Sequence, residues 1–220
     1  MYLYLVLALV LVAAAAAFLL SRGGSSKRSM TVLVGPVGGG KTALFHRLVH
    51  GGWAETYTSM KENEAAAVVD VPGHPRLLPV LADFLPVAKG IVFVIDAAAY
   101  KTRLNDTTEL LYNVMTDETL IESGVPLLIL LNKTDLLPDA ADVVVQAVQT
   151  RLAEELTKLC ATKAAAPEKT NVEDRPNRVV ASLVADGESF AFETAPLVTS
   201  FGTASVKKDE LDDVRAFIEA

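Results

Sequence analysis

Charge is missing from the start of the chain. Residues 1–20 contain no Asp, Glu, Lys or Arg, and no Gly or Pro either. A helix of that length rises roughly 30 Å, the thickness of a bilayer's hydrocarbon core, so residues 1–20 predict a transmembrane anchor. No Lys or Arg precedes the apolar run, and the run outlasts the roughly 7–15 residues of a secretory leader. Both features argue against cleavage, although the alanines at 13–17 offer small residues to a peptidase. Positive residues come after the run, as Arg22, Lys27 and Arg28. Basic residues beside a span stay on the cytoplasmic side, which predicts a cytosolic domain. Cysteine is nearly absent too. Cys160 alone excludes an intramolecular disulfide and suits a reducing compartment. A basic excess is also lacking, with 20 Lys and Arg against 27 Asp and Glu and a net charge of −7. That balance argues against direct nucleic-acid binding.

What remains divides into a linker at 21–29 and one domain at 30–220. Continuous apolar runs at 30–34, 65–71, 91–96, 127–131 and 196–201 predict strands covered on both faces, as in a parallel sheet. Helical patterns at 41–50, 104–122, 140–162 and 209–218 alternate with them. In the last, Leu211, Val214, Phe217 and Ile218 share one face. The alternation predicts an α/β fold, doubly wound around a mostly parallel sheet. Residues 164–178 are polar and aperiodic, a variable surface insert. The tetrapeptide Lys208-Asp209-Glu210-Leu211 spells a retrieval signal but is internal, and such signals are read at a C-terminus.

Three motifs carry the chemistry. The first strand runs into Gly35-Pro36-Val37-Gly38-Gly39-Gly40-Lys41-Thr42, which fits GxxxxGK[ST] at every position. Glycines let successive peptide N–H groups turn around a phosphate, and the following helix presents its positive end to the same charge. Lys41 would reach the β- and γ-phosphates of a nucleotide, and Thr42 would ligate Mg²⁺. Asn132-Lys133-Thr134-Asp135 follows another strand and fits NKxD. The Asp135 carboxylate can accept from guanine N1 and N2. A base without those donors would leave it unpaired, so the motif selects GTP and GDP. Asn132 would tie this loop to the phosphate loop, and the Lys133 stem would lie across the base.

Asp70-Val71-Pro72-Gly73 fits DxxG, with Asp70 holding Mg²⁺ through water and the Gly73 N–H sensing a γ-phosphate. Residues 51–64 would then form the first switch, with Thr58, or else Thr56, as its metal-sensing hydroxyl. After the last strand, backbone N–H groups of Ser205 and Val206, with Ala204 as a neighbouring alternative, would meet the guanine O6.

In order, GPVGGGKT, TYTSM, DVPGHPRL, IVFVIDAAAY, LNKTDLL and TASVK behind an N-terminal span resemble the signal recognition particle receptor beta-subunit family. GESFAFETAPL, leading into the last strand, fits it as well. The resemblance covers nearly the whole chain, least across 164–178. It implies a P-loop GTPase at the endoplasmic reticulum membrane, related to the Arf and Sar families. Its GTP form would hold the receptor's alpha subunit through that partner's N-terminal domain, near ribosome and translocon. Two departures stand out. Residues 59–69 alone separate Thr58 from Asp70, so the second, edge strand is expected to be short or missing. Gly38 and Gly39 also make the phosphate loop unusually rich in glycine.

His74 stands where many small GTPases carry Gln. It could orient the attacking water, or be a switch residue that touches the partner. Val37 stands where GTPases that use an arginine finger need Gly, which implies slow hydrolysis. Two other readings compete: an Arf-like trafficking GTPase, and a GTP-bound structural subunit that never turns over. The first would want a myristoylatable Gly where this chain has Tyr2.

Overall fold

The computed structural model describes residues 29–52, 56, 62–65, 67–73, 81, 83–138, 140–165, 183–184 and 188–220. The expected span at 1–20, most of the linker, Thr58, His74 and the insert from 166 onward lie outside the described residues. Among the described residues, no helix is long and apolar enough to cross a membrane.

The strands are β1 (Met30–Val34), β2 (Asn63–Ala65), β3 (Val68–Asp70), β4 (Ala88–Asp96), β5 (Leu127–Asn132) and β6 (Thr199–Thr203). They form one sheet in the order β2-β3-β1-β4-β5-β6. Every pairing is parallel except β2 with β3. The helices are α1 (Lys41–His50), α2 (Leu104–Met115), α3 (Glu118–Ser123), α4 (Ala141–Ala165) and α5 (Asp212–Glu219). The chain moves outward from β1 to β3, then returns past β1 to start β4. That reversal is a topological switch point, and open α/β sheets bind ligands there, outside the carboxyl ends of their strands.

Both sheet faces are covered, as the continuous apolar runs require. Along β5 all six residues are buried. Leu127, Ile129 and Leu131 point into one core with α2 and α4, while Leu128 and Leu130 join the other with α1 and α5. In α4, Val144, Val148, Leu152, Leu156 and Cys160 recur every four residues and make one buried stripe. Cys160 packs in this stripe, and burial pushes its thiol pKa up.

Several expected boundaries change. The run at 65–71 is not one strand. β2 ends at Ala65 and Ala67 takes φ +63°, so the chain reverses into β3 as a tight antiparallel pair. The short edge strand anticipated from the 59–69 spacing is thus present, three residues long. The helix expected over 104–122 breaks at Thr116, because the Asp117 side chain accepts from the Leu120 N–H and caps a new helix. The last strand begins at Thr199 rather than 196, and the last helix at Asp212 rather than 209. α4 continues to Ala165, so the variable insert can begin only after it.

Candidate nucleotide-binding site

The loop between β1 and α1 has Gly35, Gly38 and Gly40 at φ +143°, +82° and +92°, values that L side chains resist. A Cβ on Gly35 would also lie 2.3 Å from the Val94 carbonyl oxygen. Five successive carbonyls of this loop each receive a side-chain donor. Lys41 Nζ donates to Gly35 O at 2.8 Å and Pro36 O at 2.9 Å. Arg103 Nη1 donates to Val37 O at 2.7 Å, Lys133 Nζ to Gly38 O at 2.8 Å, and Asn132 Nδ2 to Gly39 O at 3.0 Å. These bonds fix the loop's carbonyls while the Gly39 N–H donates to Pro36 O at 3.3 Å, and the remaining peptide N–H groups of such a loop can form an anion nest. Gly40 supplies no side-chain cap, so the N-terminus of α1 keeps its positive end available. Lys41 is buried, and loss of water lowers its pKa to about 8 against the opposing pull of Asp70.

At the ends of β2 and β3 the Asp70 carboxylate accepts from Thr42 Oγ1 at 2.7 Å and Asn63 Nδ2 at 3.2 Å, both on Oδ2. Its Oδ1 is buried without a hydrogen-bond partner among the described residues. Burial raises the Asp70 pKa, with the Thr42 and Asn63 hydrogen bonds and the Lys41 charge holding it down. A hydroxyl beside a carboxylate with an orphaned oxygen fits a hard cation such as Mg²⁺. Among the described residues no cluster of three or more His, Cys, Asp or Glu could hold a metal. Mg²⁺ does not need one, since it keeps waters and phosphate oxygens alongside one or two protein ligands. Gly73 packs directly on the loop: a Cβ there would lie 2.4 Å from Gly35 O and 2.6 Å from Lys41 Nζ. Thr56 is half-buried, whereas Thr58 and His74 lie outside the described residues.

The base side forms after β5. Lys133 takes φ +66°, which turns the chain into a short 3-10 helix at Thr134–Leu136. Its ammonium also pairs with Asp96 Oδ2 at 2.6 Å. Asp135 Oδ1 accepts from the Ser205 hydroxyl at 2.7 Å, and Asn132 Oδ1 from the Val206 N–H at 3.4 Å. The three loop amides expected to face a base are engaged differently. Ala204 N donates to Leu131 O at 2.8 Å and Ser205 N to Glu210 O at 3.0 Å, which leaves Val206 N the most weakly held. Ser205 enters instead through its hydroxyl.

The structure therefore brings together Lys41, Thr42, Asp70, Gly73, Asn132, Lys133, Asp135, Ser205 and Val206. It adds Asp96, Asn63 and Arg103, which the motifs did not flag. Asp96 was within reach of the sequence: it ends a strand paired in register with the one ending at Asn132. Arg103 had no such signal.

A mostly parallel α/β sheet with this loop at its switch point defines a P-loop domain of the GTPase fold. The family model described as signal recognition particle receptor beta subunit matches residues 26–198. The chain belongs to that family. The Mus musculus signal recognition particle receptor subunit beta is 33% identical over 97% of this chain and 81% of its own. The Homo sapiens protein of the same name is 33% identical over 86% of this chain and 72% of its own. Among solved structures, that of the mammalian SRP receptor matches with a TM-score of 0.70 at 28% identity, covering 86% of this chain and 97% of that one. The GDP form of the receptor's beta subunit from Chaetomium thermophilum matches with a TM-score of 0.59 at 25% identity, covering 88% and 98%.

Proposed function

We propose that the chain is a GTP-binding subunit of the signal recognition particle receptor, anchored in the endoplasmic reticulum membrane by residues 1–20. Its 30–220 domain would face the cytosol and hold the alpha subunit's N-terminal domain in a GTP-dependent way during co-translational targeting. The observation that carries the nucleotide half is the lacing of two distant motifs. Asn132 and Lys133 bond the phosphate-loop carbonyls at Gly39 and Gly38, while Asp135 rests on Ser205 from a third loop. Such an arrangement would hold a base-reading carboxylate at a fixed distance from a phosphate cradle, which supports this reading. The resemblance to a GDP-bound relative supports the same reading.

In this reading peptide N–H groups of the loop from Val37 to Thr42 and the Lys41 ammonium bind the phosphates. Thr42, with Asp70 through water and Thr58 in the triphosphate state, would hold Mg²⁺, which supplies neutralisation of phosphate charge. Gly73 would report the γ-phosphate. His74 either orients the attacking water or meets the partner. Turnover is slow because the Val37 side chain obstructs an external arginine. The relation of the alpha subunit to this chain rests on the receptor structure it resembles. Ribosome and translocon would be neighbours reached through that partner.

Guanine selection is tested at Asp135. In Asp135→Asn an amide replaces the double acceptor, so GTP should lose its hold while xanthosine triphosphate, with a carbonyl in place of the 2-amino group, gains. Competition binding reads the exchange. GTP affinity equal to that of the parent would remove Asp135 from the base site.

A further inference from the structure

Arg103 belongs to no nucleotide motif, yet its guanidinium donates to the Val37 carbonyl across a separation of 66 positions. The residue closes the 3-10 turn Tyr100–Arg103 that leads into α2. Between this turn and the phosphate loop is a cleft of about 260 Å³, walled by Val37, Gly38, Gly39, Tyr100, Arg103 and Thr107. Thr107 is 1% exposed, and its hydroxyl finds no hydrogen-bond partner among the described residues. Among the described residues, side chains therefore leave a cleft beside the loop.

The loop itself needs outside fixation. Residues 38–40 are three glycines in succession, with the largest backbone entropy to lose and no side chains to wedge in place. The carbonyls of Gly35, Pro36, Gly38 and Gly39 are held by Lys41, Lys133 and Asn132, all within recognised motifs. The Val37 carbonyl lies between them, and among the described residues Arg103 is the side chain that donates to it.

We infer that Arg103 is a positioning residue: a strut across the cleft that fixes the Val37 peptide and so sets how long the loop retains a nucleotide. The inference rests on the proposal above that this loop holds nucleotide phosphates. Arg103 is itself exposed, so its bond contributes little to folding and its effect falls on the loop's geometry. Through the same bond α2 is linked to the phosphate loop.

The test loads the full-length chain, in detergent, with a fluorescent GDP analogue and chases it with unlabelled GDP. Arg103→Ala should release the analogue about three- to tenfold faster, the scale of one hydrogen bond from a charged donor at a partly exposed site. Arg103→Lys and Arg103→Gln each keep a donor and should fall between. The differences should survive added salt, and the melting temperature without nucleotide should not move. Parental release from Arg103→Ala overturns the strut while leaving nucleotide binding intact. So does an effect that salt abolishes and that Gln fails to relieve, since Arg103 would then act only as a charge. A parent that retains no analogue overturns the nucleotide reading and the strut with it.

Discussion

Burial withholds water from the Lys41 ammonium and lowers its pKa from 10.5 to about 8, with Asp70 opposing the shift. Without a nucleotide, that charge is a penalty on the fold. Below about pH 8 the lysine is protonated whether folded or unfolded, and the penalty is fully present. From about pH 8 to 10.5 the folded lysine gives up its proton first, so stability rises with pH across that window. The shift corresponds to roughly 3 kcal/mol at most, offset by the bonds to Gly35 O and Pro36 O. Lys41→Met is therefore expected to melt at least as high as the parent at pH 7 in nucleotide-free buffer, and to lose that advantage as pH climbs past 8. Its nucleotide affinity should collapse meanwhile. Melting curves at several pH values check the sign, and a variant that melts several degrees below the parent at pH 7 refutes it. The tie expected from Asn132 to the phosphate loop was legible because its motif encodes a strand, a turn and a donor within a few positions. The Ser205 hydroxyl on Asp135 was less so. Sequence spacing placed the loop correctly but could not say that the Ser205 amide is occupied by Glu210 O.

Asp117 shows how one side chain divides an element. The apolar pattern runs through 104–122 with helical spacing, so periodicity alone predicts one helix. In the fold, Thr116 leaves the helical path, and the 5%-exposed Asp117 carboxylate accepts from the Leu120 N–H at the head of α3. α3 then ends on Gly124 at φ +60°. This cap lets Leu120 turn into the core. Asp117→Ala should cost about 1 kcal/mol, or roughly 2–4 °C in melting temperature for a domain of this size. Asp117→Asn should retain most of that stability, because an amide oxygen can cap as well. Equal losses in both variants would mean that the carboxylate's charge, not the cap, is what counts. The hairpin of β2 and β3 hid from the sequence for a similar reason. Residues 65–69 are apolar throughout, and the turn is made by Ala67 in a left-handed conformation that alanine rarely adopts. Where glycine marks the turn, as at Gly51 after α1, the element's end was placed correctly.

The whole molecule joins a sheet, with Thr42, Asp70, Asn132 and Ser205 gathered at or beyond the carboxyl ends of its strands, to a segment, residues 1–20, that the proposal places in a membrane. If the domain faces the cytosol and works as a switch, γ-phosphate contacts at Gly73 and Thr58 would order the loops around them and create the partner's docking surface. A ligand can shift such an equilibrium only by its differential affinity. About 5.5 kcal/mol carries a two-state element from 1:99 to 99:1, and a smaller bias gives a graded response. One experiment addresses anchor, orientation and switch together. The full-length chain is inserted into sealed microsomes, loaded with GDP or a non-hydrolysable GTP analogue, and offered the alpha subunit's N-terminal domain from outside. Capture is expected in the analogue state, and at least tenfold less in the GDP state, about 1.4 kcal/mol of differential binding. Release of the captured domain should be slow when GTP itself is used, if Val37 hinders stimulated hydrolysis as proposed. Equal capture in both states would leave a constitutive anchor and remove the switch. Capture only after detergent opens the vesicles would place the domain on the lumenal side, against the charge of Arg22, Lys27 and Arg28. Recovery of the chain in the soluble fraction would show that residues 1–20 do not hold it in the bilayer.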